Sequence, residues 1–198
     1  MGRTSLREQQ AETARTRILA AVAELLERDD VEELTVPQVA EVSGVSLRTV
    51  YRYYPSREEL LQAAGRFIGA ELLAHGYPES LDDVADSFEP ACSNFDRHPE
   101  LVRALSMTAL GREARAHRRR ERLQAIRTAL EEEVGALPEQ ELRQAEAVLA
   151  YLHNMLAYTT LREESGLGGE EIGQALGWAI RTLVADLRKR QRQARRTR

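Results

Sequence analysis

The stretch from Thr35 to Leu60, TVPQVAEVSGVSLRTVYRYYPSREEL, leaves the chain few ways to fold. Thr35 with Gln38 three residues on is a capping box, and Pro37 sits in a first turn where a missing N–H costs nothing. The helix they open has to be short, because Ser43-Gly44-Val45 follows and Gly44 is free to take the left-handed conformation of a sharp turn. Ser46 caps a second short helix ending near Tyr53, since Pro55 cannot continue it. Ser56 with Glu59 opens another. Val39, Ala40, Val45, Val50 and Tyr51 recur where the two short helices would pack, and Ala40 is small where they approach. The pattern is that of two helices crossing steeply about a glycine turn. It leaves Leu47, Arg48, Thr49 and Arg52 pointing outward, with Tyr53 at the end of that short, polar, positive face.

Helical periodicity continues on both sides. Ile18, Val22, Leu25 and Leu26 recur at threes and fours in a first helix from Thr13 to about Arg28. The polar residues 1–12 before it read as a mobile arm. The helix opened by Ser56 runs through Leu60, Leu61, Ala64, Phe67, Ile68 and Leu72 to about His75, and Gly76-Tyr77-Pro78 breaks it. Ser80 caps a fifth helix with Val84, Phe88, Cys92 and Phe95 on one face. Pro99 starts a sixth with Leu101, Leu105 and Leu110, and Arg112 to Ala116 is looser. A seventh carries Leu123, Ile126, Leu130 and Val134 to Gly135. Pro138 opens an eighth with Leu142, Ala145, Leu149, Leu152 and Leu156. After Gly166–Gly169 comes a ninth, with Ile172, Leu176, Ile180, Leu183, Val184 and Leu187. Residues 188–198 hold seven basic residues and no acidic one, which predicts a disordered basic tail. With glycine and proline sparse and β-branched runs nearly absent, the expectation is an all-α chain of nine helices without internal repeat.

An α-helix fits the major groove of DNA, and its N-terminal residues reach base edges there. The segment resembles the DNA-binding domain of the tetracycline-repressor (TetR) family. The resemblance rests on Thr35, Val39-Ala40, Ser43-Gly44-Val45-Ser46, Thr49-Val50-Tyr51, Tyr53-Tyr54, Arg57 and Glu59-Leu60, and it covers about residues 13–61. Two positions depart from the family pattern: Arg48, where many members have a small residue, and Tyr53, where many have histidine. The resemblance implies that Thr35, Tyr53 and Arg57 hydrogen-bond phosphates, and that Leu47, Arg48, Thr49 and Tyr51 face the groove or its sugar edge. Ser46 and Arg52 complete this candidate DNA-binding set, and Arg3 and Arg7 of the arm are candidates for the minor groove. Phosphate contacts set register and base contacts specify sequence, so Arg48 is the candidate base reader.

The family likeness further implies a homodimer on a palindromic double-stranded operator, with residues 13–55 as the helix-turn-helix domain and 56–188 as a ligand-binding and dimerisation domain. Gly169, Gly173 and Gly177 lie four apart on one face of the ninth helix. Interior glycines cost about 1 kcal/mol each relative to alanine, so close helix approach is the expected reason, whether between subunits or inside one. Candidate dimer residues are Leu149, Leu152, Gly173, Gly177, Ile180 and Val184. Candidate walls of a pocket for an unknown small-molecule effector are Phe67, Phe88, Cys92, Phe95, Leu105, Met107, Met155 and Tyr158, with His153 and Asn154 as polar contacts. The same residue types would equally build a plain core. The helix joined to the reader through Pro55 and Ser56 is the expected lever between ligand and DNA.

The net charge is −4, so no global basic excess marks a nucleic-acid partner, and any positive face must be local. Cys92 is the only cysteine, which rules out an intramolecular disulfide and a cysteine-based zinc site. His75, His98, His117 and His153 show no metal-ligand spacing. No glycine-rich phosphate loop or nucleophile elbow is present, so neither an enzyme nor a bound cofactor or metal is expected. Met1 to Ala14 has no apolar core of a signal peptide, and no run is apolar enough to span a bilayer, which predicts a cytoplasmic protein without membrane contact.

Overall fold

The computed structural model describes residues 6–28, 33–73 and 76–196, and every regular element among them is helical. In chain order the helices are α1 (Leu6–Glu27), α2 (Val36–Ser43), α3 (Leu47–Tyr53), α4 (Arg57–Leu72), α5 (Leu81–Asp86), α6 (Phe88–Phe95), α7 (Pro99–Met107), α8 (Ala109–Ala114), α9 (Ala116–Val134), α10 (Glu139–Leu152), α11 (Met155–Ser165) and α12 (Gly169–Arg196).

The all-α class holds, but three of the nine expected helices are each divided in two, and every division has a local cause. Pro90 has no N–H to give the Asp86 carbonyl, so α5 stops and α6 begins after Ser87, whose hydroxyl donates back to the Asp83 carbonyl at 2.5 Å. Thr108 leaves helical geometry and its hydroxyl accepts from the Gly111 N–H at 2.9 Å, separating α7 from α8. Asn154, expected as a ligand contact, is instead the extended N-cap of α11, its side-chain oxygen accepting from the Leu156 N–H at 3.1 Å.

The ends also differ from expectation. The arm foreseen over residues 1–12 is helical from Leu6, because Leu6 to Glu12 contains only good helix formers and Glu8 lies in the favourable first turn. Arg3 and the side chain of Arg7 lie outside the described residues. At the other end the basic segment expected to be disordered is helical over its described residues: α12 runs to Arg196. Buried Gln191 accepts from the Ala136 N–H at 3.0 Å, Arg188 pairs with Asp82 and Glu133, and Arg190 with Asp186 and Glu141. Basic side chains at a helix C-terminus also suit its dipole.

Contacts divide the chain into two units. The first comprises the residues to Gly69 together with Arg103–His117, and the second Ala70–Val102 with the residues from Arg118. The sequence had placed a boundary at residue 55, where proline breaks the chain. Instead the boundaries fall inside α4, α7 and α9, because the segment around α8 returns to the first unit. Within that unit α8 lies so close to α4 that a Cβ on Gly65 would sit 2.0 Å from the Ala114 carbonyl oxygen. The second unit is built around α12, which packs on α5, α6, α10 and α11. Leu81, Val84, Ile126, Leu130, Leu149, Ile180 and Val184 are fully or almost fully buried in its core.

Candidate nucleic-acid interface

The expected turn is present. Thr35 adopts an extended conformation and completes the capping box: its hydroxyl accepts from the Gln38 N–H at 3.4 Å, and the Gln38 side-chain oxygen accepts from the Thr35 N–H at 2.9 Å. Gly44 ends α2 with φ of +62°, the left-handed value that favours glycine. Ser46 then caps α3, its oxygen accepting from the Thr49 N–H at 3.3 Å. Val39 and Val50 are fully buried, as are Leu34 just before α2 and Leu60 of α4. Leu34 and Val39 flank the cap at the positions of a hydrophobic staple, which sets the angle at which the chain enters α2.

Burial of Val50 decides which side of α3 faces out. Ser46, Leu47, Arg48, Tyr51 and Arg52 are exposed, and Thr49 and Tyr53 are half-buried. Tyr51, expected to help pack the helix pair, is exposed and belongs to the outward face alone. The Arg52 guanidinium donates to the Tyr53 hydroxyl at 3.1 Å and lies 4.8 Å from the ring centroid, while Arg15 of α1 lies 5.1 Å from the same ring. Arg17 of α1 reaches the turn, where a Cβ on Gly44 would stand 2.7 Å from its guanidinium. These α1 arginines escaped the sequence reading. No local pattern announces a contact between residues 15 and 53, although both arginines lie within a turn of the buried Ile18. They supply the local positive charge that the net charge of −4 conceals.

Arg57 departs from its expected role. Its Nε donates to the Leu34 carbonyl at 2.8 Å, and its two terminal nitrogens grip the Glu113 carboxylate of α8 at 2.5 and 3.0 Å. This bidentate fork raises the pKa of Arg57 still further. The side chain expected on phosphate thus holds α8, α4 and the entrance to α2 together.

The profile of bacterial regulatory proteins of the tetR family matches residues 18–64, the span from the buried face of α1 to the middle of α4. Residues 18–64 are thus similar to the N-terminal segment of that family. No curated protein matches the sequence of this chain. Among solved structures the chain is similar to NalD of Pseudomonas aeruginosa, the secondary repressor of the MexAB-OprM multidrug efflux pump. That pair shares 19% identity with a TM-score of 0.60, over 86% of this chain and 95% of NalD. It is also similar to a transcriptional regulator from Rhodococcus sp. RHA1, at 22% identity and a TM-score of 0.56 over 87% of this chain and 96% of that one. These likenesses extend the shared fold well beyond the matched segment.

The candidate pocket residues fall into both units. Phe67, half-buried, buried Leu105 and exposed Met107 belong to the first. Phe88, Cys92, Phe95, Met155 and Tyr158 belong to the second and are buried there. Phe88 meets Phe95 edge-on with centroids 5.9 Å apart, and Phe95 meets Tyr158 likewise at 5.1 Å. The Tyr158 hydroxyl donates to Asp96 at 2.5 Å, and Asp96 also accepts from Arg162 and from the Gly169 N–H, tying α6, α11 and α12. Burial pushes the Cys92 thiol up to about 12, so it packs as a thiol. His153 lies 4.7 Å from the Phe88 ring, and its Nε2 is 3.3 Å from the Ser87 oxygen. Since the Ser87 proton is committed to Asp83, the imidazole Nε2–H donates to that oxygen, and burial holds its pKa down at about 3.

The candidate dimer residues need correction. A Cβ on Gly173 would stand 2.7 Å from the Glu89 carbonyl oxygen, and one on Gly177 would stand 2.7 Å from the Glu89 carboxylate. The glycine face of α12 therefore serves close packing against α6 within one chain. Leu149, Ile180 and Val184 lie in the core of the second unit, and only Leu152 is partly exposed. The apolar groups that reach solvent are their helical neighbours: Val148 and Tyr151 of α10, 46% and 50% exposed, and Trp178 of α12, 69% exposed. Among the described residues no helix is long and apolar enough to cross a membrane.

Proposed function

We propose that this protein is a repressor that binds a palindromic operator as a homodimer and leaves it when a small molecule binds. The observation that carries this reading is the outward face of α3: a short helix, capped by Ser46 and held from beneath by Val50, presenting Leu47, Arg48, Tyr51 and Arg52. Arg48 lies in its first turn, the part of a recognition helix that reaches base edges, and reads a guanine through its two-pronged guanidinium. Thr35, Thr49 and Tyr53 set register on the backbone, with Arg15 and Arg17 adding charge. So short a helix needs a second copy for affinity, and a two-fold pair reads two half-sites a turn or more apart.

The dimer forms through α10 and α12 by burial of Val148, Tyr151 and Trp178, since large apolar side chains left this exposed are what an interface core takes up. The effector is taken by the aromatic region of the second unit around Phe88, Phe95, Tyr158 and His153. NalD represses an efflux pump, and repression is the mode inferred for this chain also. Binding without turnover, in the cytoplasm, completes the reading.

The test is selection of bound duplexes from a random pool, followed by salt titration of the enriched site. An enriched inverted repeat with a linear fall of log affinity against log salt is the expected result. Absence of enrichment would remove the operator, and a monomer at working concentration would remove the dimer.

A further inference from the structure

A basic residue at the start of α4 is expected on a DNA phosphate, yet here Arg57 spends both ends of its guanidinium fork on Glu113. Glu113 lies 56 residues further along the chain, on α8, in the segment that returns to the first unit. Its carboxylate oxygens are the kind of acceptor that a phosphate also offers, with the same two-pronged geometry. The pair is open to water, with the Arg57 side chain 31% and the Glu113 side chain 45% exposed. A salt bridge so exposed can open without leaving either charge buried and unpaired. The remaining Arg57 bond is of a different kind. Its Nε is fixed on the Leu34 carbonyl at 2.8 Å, so the guanidinium stays beside the capped entrance to α2 whether or not Glu113 holds it.

We propose that Glu113 competes with operator phosphate for Arg57, so that the position of α8 sets how much Arg57 contributes to DNA binding. With the pair closed, Arg57 is neutralised and makes no phosphate contact. With α8 withdrawn, the fork is released next to Thr35 and adds one contact per protomer. Glu113 is thus a positioning residue acting through Arg57. A ligand that favours the closed pair weakens DNA binding by its differential affinity for that state. Two backbone approaches set the position of α8 in which the pair is closed: Gly65 lets it lie against α4, and Gly111 lets it fold back on α7, where a Cβ would stand 2.2 Å from the Ala104 carbonyl oxygen.

The inference rests on the DNA-binding reading, and the salt dependence of binding tests the two separately. The probe is a duplex carrying the selected inverted repeat, or a mixed-sequence duplex of equal length. Each phosphate contact adds about 0.9 to the slope of log affinity against log salt. E113Q should steepen the slope by about 0.9 per bound protomer and tighten binding at low salt. E58Q, which removes an equal charge from an exposed α4 residue hydrogen-bonded to Gln62, should leave the slope at the wild-type value. R57Q should not change it, and R57Q/E113Q should return it to wild type. Equal slopes for E113Q and E58Q, in variants with wild-type helical circular dichroism, would overturn the inference while leaving DNA binding intact. So would a shallower slope for R57Q alone, since Arg57 would then already contact phosphate. No binding by any variant or the wild type would remove the DNA-binding reading and this inference with it.

Discussion

If the proposed homodimer forms through α12, replacing Trp178 by alanine should split it without loosening the subunit. Trp178 is 69% exposed in the single chain, and a tryptophan carries up to about 250 Å² of buriable surface. About 170 Å² is therefore left for a partner to cover, worth about 4 kcal/mol at about 25 cal/mol per Å². Alanine retains a little of that area, so the loss is about 3 kcal/mol per tryptophan, or roughly two orders of magnitude in dissociation constant. A two-fold interface contains the residue twice, which enlarges the effect. Sedimentation across a concentration series reads the dissociation constant directly. G173A provides the contrast. Its new methyl would meet the Glu89 carbonyl oxygen at 2.7 Å and the Cys92 Cβ at 3.3 Å. Overpacking of about 1–3 kcal/mol is offset only in part by the gain of about 1 kcal/mol in helix propensity. G173A should therefore lower the unfolding midpoint of the subunit, while W178A weakens association. If W178A left association unchanged, or G173A weakened it without affecting unfolding of the monomer, the assignment of the two α12 faces would be refuted.

Three further outcomes follow from individual side chains. R48A should relax discrimination at one position of each half-site, by about 1–3 kcal/mol or roughly 10- to 100-fold between the preferred and other bases, as read by competition with singly substituted duplexes. His153 is neutral in the folded protein with a pKa near 3, against 6.5 when free. Its unfolded form thus binds the extra proton first, and its contribution to stability is complete above about pH 6.5 and falls as the pH drops towards 3. Between pH 7.5 and 5 the wild type should lose about 2 kcal/mol more than H153N, and identical losses in denaturant titrations would show that His153 is not buried neutral. D96N weakens acceptance from Tyr158, Arg162 and the Gly169 N–H together. It should lower stability by about 1–3 kcal/mol, with Y158F removing only part of that, and equal thermal shifts for the two would show that the tyrosine bond alone matters.

The α2–α3 region was legible because its determinants are local. A threonine three residues before a glutamine, a glycine at a left-handed turn and a serine before a short helix each act within one turn of chain. The spacing of Val39 and Val50 then leaves only one side of α3 for Arg48 and Arg52. Three helix divisions were overlooked although their signals were equally local. An apolar stripe runs unbroken through Pro90, Thr108 and Asn154, and periodicity outweighed those breaks in the reading.

What the chain could not disclose by itself concerns partners distant in sequence. Apolar spacing shows that the glycine face of α12 needs a close neighbour, but intra-chain and inter-chain neighbours impose the same requirement. Packing on α6 selects the first and leaves Trp178 exposed. The family resemblance implies that Arg57 is a phosphate ligand, yet a carboxylate satisfies the same fork, and only the return of α8 to the first unit brings Glu113 there. The sequence by itself determined the all-α class, the caps of α2 and α3 and the outward face of α3, because those depend on interactions over three or four residues. The tertiary structure alone decided which charged and apolar faces were already occupied, because that depends on which distant helix is brought within hydrogen-bond or van der Waals reach.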